Sequence, residues 1–330
     1  VRSNVVLLIG LAVVFLLSQV VGGLDNYKIQ ILMYIGFNII LASSLNLING
    51  FTGQFSLGHA GFMGIGAYVS AILSTYLTTH GWTPEGFSGI AILALALLAG
   101  GCISALAGLA VGFPSLRLKG DYLAIVTLGF NEIIRVIIQN VDFTIKGTDY
   151  VGGARGFTVP KLTTFSWTFS VVVVVIWLVE NLVNSTYGRG FLAVRDDEIA
   201  AEAMGIDTTK FKVRAFVIGA FFAGIGGGLF GHFIQYINPD SFTFLKSIDL
   251  VVMVILGGMG STVGVIIAAI LLTILPEALR GVDQYRMIVY ALLLIIMMIL
   301  RPQGLFGPET LKKFVKWITN RFGQPSSQQT

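Results

Sequence analysis

Long apolar runs separated by short polar gaps set the rhythm of this chain. They predict ten membrane elements, at 5–24, 29–49, 53–79, 88–113, 121–140, 165–184, 213–237, 247–259, 261–279 and 285–301. A helix needs about 20 apolar residues to cross the hydrocarbon core, and most of these runs reach that length. None alternates with the period of a barrel strand. Because a backbone in lipid must satisfy its own hydrogen bonds, the runs are expected to be helices. Two elements are irregular. The 53–79 segment carries Gly53, Gln54, Ser56, Gly58, His59, Gly61, Gly64 and Gly66. The 247–279 pair is interrupted by Gly257, Gly258, Met259, Gly260, Ser261 and Thr262. At about 1.5 Å per residue, the first half of that pair is too short to cross alone. Irregular backbone survives at depth only where protein buries it or where it lines a cavity. Gln54, Ser56, Gly58, His59 and Gly61, with Gly257, Gly258, Gly260, Ser261 and Thr262, are therefore candidates for the wall of a path through the membrane.

Residues 184–214 break the apolar rhythm with a polar, charge-dense island. Asp196 or Asp197 suits a helix N-cap, and Glu198, Ala200, Ala201, Glu202, Ala203 and Met204 are mostly strong helix formers. Gly205 is placed to end that helix, and Asp207 or Thr208 to start the next. Ile199, Ala203 and Met204 share one face, giving a short helix with an apolar side and an acidic flank. Such a helix can dock in a groove on a soluble partner, or pack as a solvated loop on its own membrane domain.

Composition agrees with the pattern. Apolar residues make up 55% of the chain and charged residues 12%, about half the usual globular share of charge, and the mean hydropathy is +0.84. The expected fold is an all-α polytopic membrane bundle with broken or re-entrant helices. The single cysteine, Cys102, rules out a disulfide framework, and a net charge of +4 gives no reason to expect nucleic acid. Gly22, Gly23, Leu24 and Asp25 make a poor cleavage site, so the first run reads as an anchor. Arg117 and Lys119, the island's Arg189, Arg195, Lys210, Lys212 and Arg214, and the tail's Lys312, Lys313, Lys316 and Arg321 fall on one side after ten crossings. That side, with both termini, is expected to be cytoplasmic, and the 141–164 loop to lie outside. Beyond Pro302 and Pro308, Leu311, Phe314, Val315 and Ile318 form an apolar stripe suited to a helix lying on the inner membrane surface.

Several chemistries find no support. No GxxxxGK[ST] phosphate loop occurs, nor HExxH, paired aspartates or a Ser/His/Asp set at depth, so no catalytic residue is assigned. His80 and His232 lack ligand spacing, and no metal site is expected. His59 reads first as a structural hydrogen-bonder and second as a substrate contact. Glu132 and Arg135 can pair at a spacing of three. Asp249 opens a span and is expected in a polar vestibule, but no charge is placed at mid-membrane with a partner, which argues against ion coupling. Ala215, Gly219, Ala223, Gly227 and Gly231 recur every four residues, a small-residue face for close helix approach. Gly61, Gly64, Ala67 and Ala71 act similarly.

Five blocks in order carry a family resemblance: FTGQFSLGHAGFMGIGAY (51–68), LRLKGDYLAIVTLGFNEIIR (116–135), GRGFLAVRDDEIAAEAMGIDTTKFKVRAFVIGAFFAGIGGGL (188–229), LGGMGSTVGVIIAA (256–269) and LRPQGLFG (300–307). The chain resembles the larger membrane subunit of branched-chain amino-acid ABC importers, the LivM-type permease. That resemblance implies a permease domain over 1–307 and an amphipathic cytoplasmic tail over 308–330, in a bacterial or archaeal cell membrane. It implies aliphatic amino acids as cargo, two separate ATPase subunits that bind the ATP, a second and smaller permease, an extracytoplasmic substrate-binding protein, and no cofactor in this chain. It also implies that Arg195, Asp196, Asp197, Glu198, Ala200, Ala201, Glu202 and Gly205 belong to the loop that couples to an ATPase. The fuller importer pattern has a Leu-Pro beyond this loop that is missing here. A urea or short-chain amide permease of the same superfamily is the alternative, followed by a stand-alone secondary transporter or channel.

Overall fold

The computed structural model describes residues 2–23, 25–115, 121–143, 151–282 and seven helical positions between 288 and 299. Arg117, Lys119, most of the 141–164 loop's first half and the whole tail after residue 300 lie outside the described residues, as do the structural expectations placed on them.

The helices follow the apolar runs. In chain order they are α1 (Arg2–Val21), α2 (Asn26–Asn46), α3 (His59–Thr79), α4 (Gly86–Ser115), α5 (Asp121–Asn140), α6 (Phe165–Asn184), α7 (Thr186–Asp196), α8 (Glu198–Ala203), α9 (Thr208–Ile234), α10 (Phe244–Gly257) and α11 (Thr262–Ala278). Among the described residues, seven helices are long and apolar enough to cross a membrane: α1 to α6 and α9. The fold is an all-α polytopic bundle. Where the chain deviates from helix, it forms two short antiparallel ladders, β1 (Asp142–Phe143) with β2 (Val151–Gly152), and β3 (Phe157–Thr158) with β4 (Tyr236–Ile237).

α2 is the central post. Residues 35–52 are all buried, and a π-helical turn over Leu47–Phe51 extends the helix. By contrast α1 is peripheral, leaning on α6 where Gly10 faces Val173. The predicted 53–79 element divides in two. Its first part is an irregular strap, and α3 begins only at His59. The predicted 213–237 span starts earlier, at Thr208, because Asp207 caps it through Lys210 N (3.0 Å). The Lys210 side chain beside Asp207 holds its carboxyl below the usual carboxylate range. This cap is thus fully present at neutral pH and is lost as pH falls through the lowered value.

The predicted small-residue face of α9 lies inside the bundle. A Cβ at Gly219 would stand 2.6 Å from the Ile48 side chain, and one at Gly227 2.0 Å from the Met63 carbonyl oxygen. Gly231 faces Ile237 and Ala67, and Ala223 is fully buried. A second glycine edge, not anticipated, binds α3, α4 and α9 backbone to backbone. Cβ atoms would meet the Gly224 oxygen at 2.1 Å from Gly66, the Gly66 oxygen at 2.7 Å from Gly100, and the Gly100 oxygen at 2.7 Å from Gly224. Ser104 sits in the same crossing and donates to the Phe62 carbonyl (2.9 Å). Helices in lipid gain little from hydrophobic burial against one another, so such close backbone approach supplies the dispersion contact that holds them.

α10 and α11 form a hairpin whose turn is Gly258–Ser261. Gly258 and Gly260 have positive φ, +95° and +82°, which side-chain-bearing residues rarely adopt. Ser261 caps α11 through Gly264 N (3.1 Å).

Because Met63 presents backbone, Gly227→Ala has no flexible neighbour to displace. It should destabilise the fold by about 1–3 kcal/mol or more, whereas Gly129→Ala, with nothing within 4 Å, should be neutral. Thermal unfolding of the two variants in detergent compares them directly.

Candidate functional site

The irregular strap after α2, the α10–α11 turn and the polar island meet at one end of the bundle. Each exposes backbone groups that no helix satisfies, and polar side chains on neighbouring helices bond them. Asn46 Oδ1 accepts from Gly260 N (2.9 Å), and Asn49 Oδ1 from Ser56 N (3.2 Å). Thr127 Oγ1 of α5 accepts from Leu57 N (3.0 Å), and Ser247 Oγ of α10 from Ala60 N (2.9 Å). The last of these serves the first turn of α3, whose N–H groups have no partners within their own helix. Gly50 is required by proximity, since a Cβ there would fall 2.3 Å from Gly260 N.

Several of the predicted path residues gather here. His59 is fully buried and its Nε2 lies 2.7 Å from Ser44 Oγ. Ser44 Oγ already donates to the Leu41 carbonyl (2.8 Å), so the imidazole Nε2–H is the donor, an assignment made from the network. Gln54 is buried, with neither amide atom bonded among the described residues. Gly58 packs against Thr127 and Gly61 against Asn131 of α5, while Gly257 packs against Val265 across the hairpin. Ser261 and Thr262 are buried at the start of α11.

The island folds as two helices. α7 returns from α6 across an aromatic contact, with Phe191 and Phe211 edge to face at 5.9 Å. Leu47, Phe51, Phe191 and Ala215 form a small core that ties the island to the end of α2. Asp197, one of the two anticipated caps, is the N-cap of α8 and accepts from Ile199 N (2.9 Å) and Ala200 N (3.0 Å). The other end closes as a Schellman motif: Ile206 N bonds the Ala201 carbonyl (3.0 Å) and Gly205 N the Glu202 carbonyl (2.9 Å). Gly205 takes φ +82°, as its sequence position predicts. Glu198 pairs with the nearly buried Lys212 of α9 (2.7 Å), and Glu202 accepts from Thr208 Oγ1 (2.7 Å). Ala201 turns inward, while Ala200 and Ala203 are exposed. Ile199 is 74% exposed and Met204 83%, so the predicted apolar face of α8 points away from the protein.

Arg195 links island and bundle. Its Nη1 donates to the Gly50 carbonyl (3.4 Å), and its Nε and Nη2 donate to Asp196 Oδ1 (3.1 and 3.0 Å). Its aliphatic stem lies against Gly53, whose φ is +68°.

A second polar region, anticipated from sequence only at Asp249, lies toward the opposite end. A cavity of about 330 Å³ separates α2 from α10 and α11, lined by Ile31, Tyr34, Asn38, Lys246, Asp249, Met253, Leu272, Thr273, Pro276 and Glu277. Lys246 Nζ donates to Asn38 Oδ1 (3.1 Å), and Asn38 Nδ2 to Thr273 Oγ1 (2.9 Å). Asn38 lies halfway along the apolar stretch Asn26–Phe51, so a cation with a polar partner does occupy mid-membrane depth. That corrects the expectation of no such charge. The sequence signals were Asp249 at the start of a span and, not anticipated, Lys246 three residues before it. Glu132 and Arg135 pair as anticipated (2.9 Å), and Arg135 also reaches Asp240 (3.3 Å).

Apolar spans around bonded irregular backbone, with one helical elbow turned outward, define a multi-pass helical membrane protein. A family model for the permease component of branched-chain amino acid transport systems matches residues 27–300, and the chain belongs to that family. It is 37% identical over 302 residues to the high-affinity branched-chain amino acid transport system permease protein LivM of Salmonella typhimurium, covering 81% of this chain and 67% of the relative. The LivM protein of Escherichia coli K12 is similar to the same extent. The LivH permease protein of Salmonella typhimurium is 26% identical over 83% of this chain and 92% of its own length. No solved structure matches the chain.

Replacing Asn46 with Leu keeps the bulk but strands the Gly260 N–H. Asn46→Leu should cost about 1–3 kcal/mol, seen as a lower midpoint of thermal unfolding, with accelerated proteolysis at the Gly258–Ser261 turn.

Proposed function

We propose that the chain is one of two membrane subunits of an ATP-driven importer that moves branched-chain aliphatic amino acids into the cell by alternating access. The observation that carries this reading is α8, a short helix with its apolar side outward and both ends fixed. A helix so firmly capped, salt-bridged to α9 and following an α7 that is braced on the end of α2 is suited to pass on a push. A solvated decorative loop has no need of such fixing. The acidic flank at Asp196, Asp197 and Glu202 and the apolar Ile199 and Met204 give a soluble partner both charge and surface to grip.

In this reading the partner is an ABC ATPase subunit, one of two, which binds ATP where this chain carries no nucleotide motif and no cofactor. The island and both termini lie in the cytoplasm of a bacterial or archaeal cell, as the basic residues support. A second, different permease completes the path, and an extracytoplasmic binding protein delivers the amino acid. ATP-driven closure of the ATPases moves α8. Arg195 then carries that displacement to the Gly50 carbonyl and so to the α10–α11 turn, while Lys212 carries it to α9. The similarity to LivM and LivH proteins supports the cargo class.

The test is leucine uptake by the reconstituted complex, with urea as competitor. The parent should take up radiolabelled leucine in an ATP-dependent manner, unaffected by urea. Ile199→Asp changes only an exposed position and should leave assembly in the membrane intact. It should lower ATP-driven uptake about tenfold, the loss of an interfacial anchor of about 1.4 kcal/mol or more. Gly205→Pro, which cannot adopt φ +82°, should do the same. Wild-type uptake in both variants would remove α8 from the coupling role, and urea uptake without leucine uptake would overturn the cargo.

A further inference from the structure

The cavity between α2, α10 and α11 has features that packing does not require. Lys246 and Asp249 lie one helical turn apart on α10, a spacing at which opposite charges readily pair. Yet among the described residues no salt bridge closes on either of them. Lys246 donates one hydrogen bond, to Asn38, out of the three an ammonium can make. Asp249 is exposed on the cavity side of α10, beside a lysine that reaches the middle of the membrane. An ionised side chain at that depth faces a watery or polar space, not lipid. The α10 helix also begins here, so the positive end of its dipole adds to the field of Lys246.

Opposite them, α11 contributes an acceptor of a different kind. Pro276 lies within this helix and has no N–H, so the Leu272 carbonyl receives no bond from the residue four positions on. Both residues line the cavity. The remaining wall is apolar, chiefly Ile31, Met253 and the Leu272 side chain. At about 330 Å³ the space is at the lower end of the range of roughly 300–1,000 Å³ usual for small-ligand sites. It runs from Glu277, which accepts from the Tyr27 hydroxyl in the first turn of α2, down to Asn38 at mid-depth. It therefore connects the end of the bundle remote from the island with the middle of the membrane.

We propose that this cavity is the intramembrane resting site for the amino-acid zwitterion, an inference that rests on the branched-chain permease reading. The substrate carboxylate binds Lys246, the ammonium group binds Asp249 and the Leu272 carbonyl, and the aliphatic side chain lies against Met253 and Ile31. Neighbouring charges that close no salt bridge among the described residues suit a ligand that brings one charge of each sign. A neutral molecule such as urea would leave both unsatisfied, so the same geometry selects against it.

The test uses the full complex with its ATPases, second permease and binding protein in liposomes. Lys246→Met should lower leucine uptake about tenfold or more, the loss of one charged hydrogen-bonding partner, in a complex that still assembles in the membrane. Lys246→Arg, which keeps the charge, should recover much of that uptake. Where a variant assembles poorly, a second measurement decides. Met253→Cys, in a Cys102→Ser background, should be alkylated by a small polar maleimide at a rate slowed severalfold by saturating leucine and unaffected by urea. Unchanged half-saturation and rate of uptake in Lys246→Met, or an alkylation rate indifferent to leucine, would overturn the site while leaving the importer reading intact. A parent complex that carries urea and not leucine would instead overturn the reading on which the site rests.

Discussion

The structure depends on one requirement: every backbone group that leaves the helical register inside the apolar bundle must be bonded by something else. The strap between α2 and α3 and the turn between α10 and α11 both leave that register. Asn46, Asn49, Thr127 and Ser247 meet the requirement, each from an adjacent helix and each with a short, neutral side chain. Neutrality matters at depth, because a charged donor or acceptor would carry a desolvation cost that an amide or hydroxyl does not. The same requirement recurs at the other end, where Val159 N bonds the Gln235 carbonyl and β3 pairs with β4. Those bonds satisfy the link between α9 and α10, which opens with Gln235 at φ +65°. Among the described residues, the strap, the α10–α11 turn and the α9–α10 link each draw a donor or acceptor from another segment.

That condition also explains how the two functional regions are built. The island touches the bundle where the backbone is irregular, so Arg195 can bond the Gly50 carbonyl directly. A regular helix would have kept that oxygen for itself. The cavity by α10 arises in a comparable way: α10 starts at depth, and Pro276 interrupts the bonding of α11. Irregularity is thus both the cost that neighbouring side chains offset and the source of the groups that can act.

Local signals in the sequence were read well. The apolar runs located the helices, Asp197 and Gly205 marked the ends of α8 in the positions their conformational preferences demand, and the four-residue repeat of α9 identified a close-packing face. Partnerships between distant residues were not readable. Lys246 and Asn38 are 208 positions apart, and nothing near Asn38 announces that it will meet an ammonium. Thr127 and Ser247 looked like ordinary helix residues, because a hydroxyl becomes a cap only when another segment's N–H is brought to it. Glycine permits both close packing and open backbone, so a segment rich in it names a candidate path wall without naming what each glycine touches. The contacts of Gly58, Gly61 and Gly257 show close packing. The second glycine edge of α9 is not legible in sequence because Gly224 falls within a run rich in glycine, where no single period stands out.

The crossing of Gly66, Gly100 and Gly224 has a mechanical meaning. Most helix contacts are meshed by side chains, which can switch rotamer and let one helix creep past another. Among Gly66, Gly100, Gly224 and Ser104, only Ser104 brings a side chain to this joint, and its hydroxyl is bonded to the Phe62 carbonyl. Three backbones bear on one another, and the contact is either kept or lost whole. α3, α4 and α9 therefore behave as a keel, a single stiff block that resists sliding of any one of the three past the others.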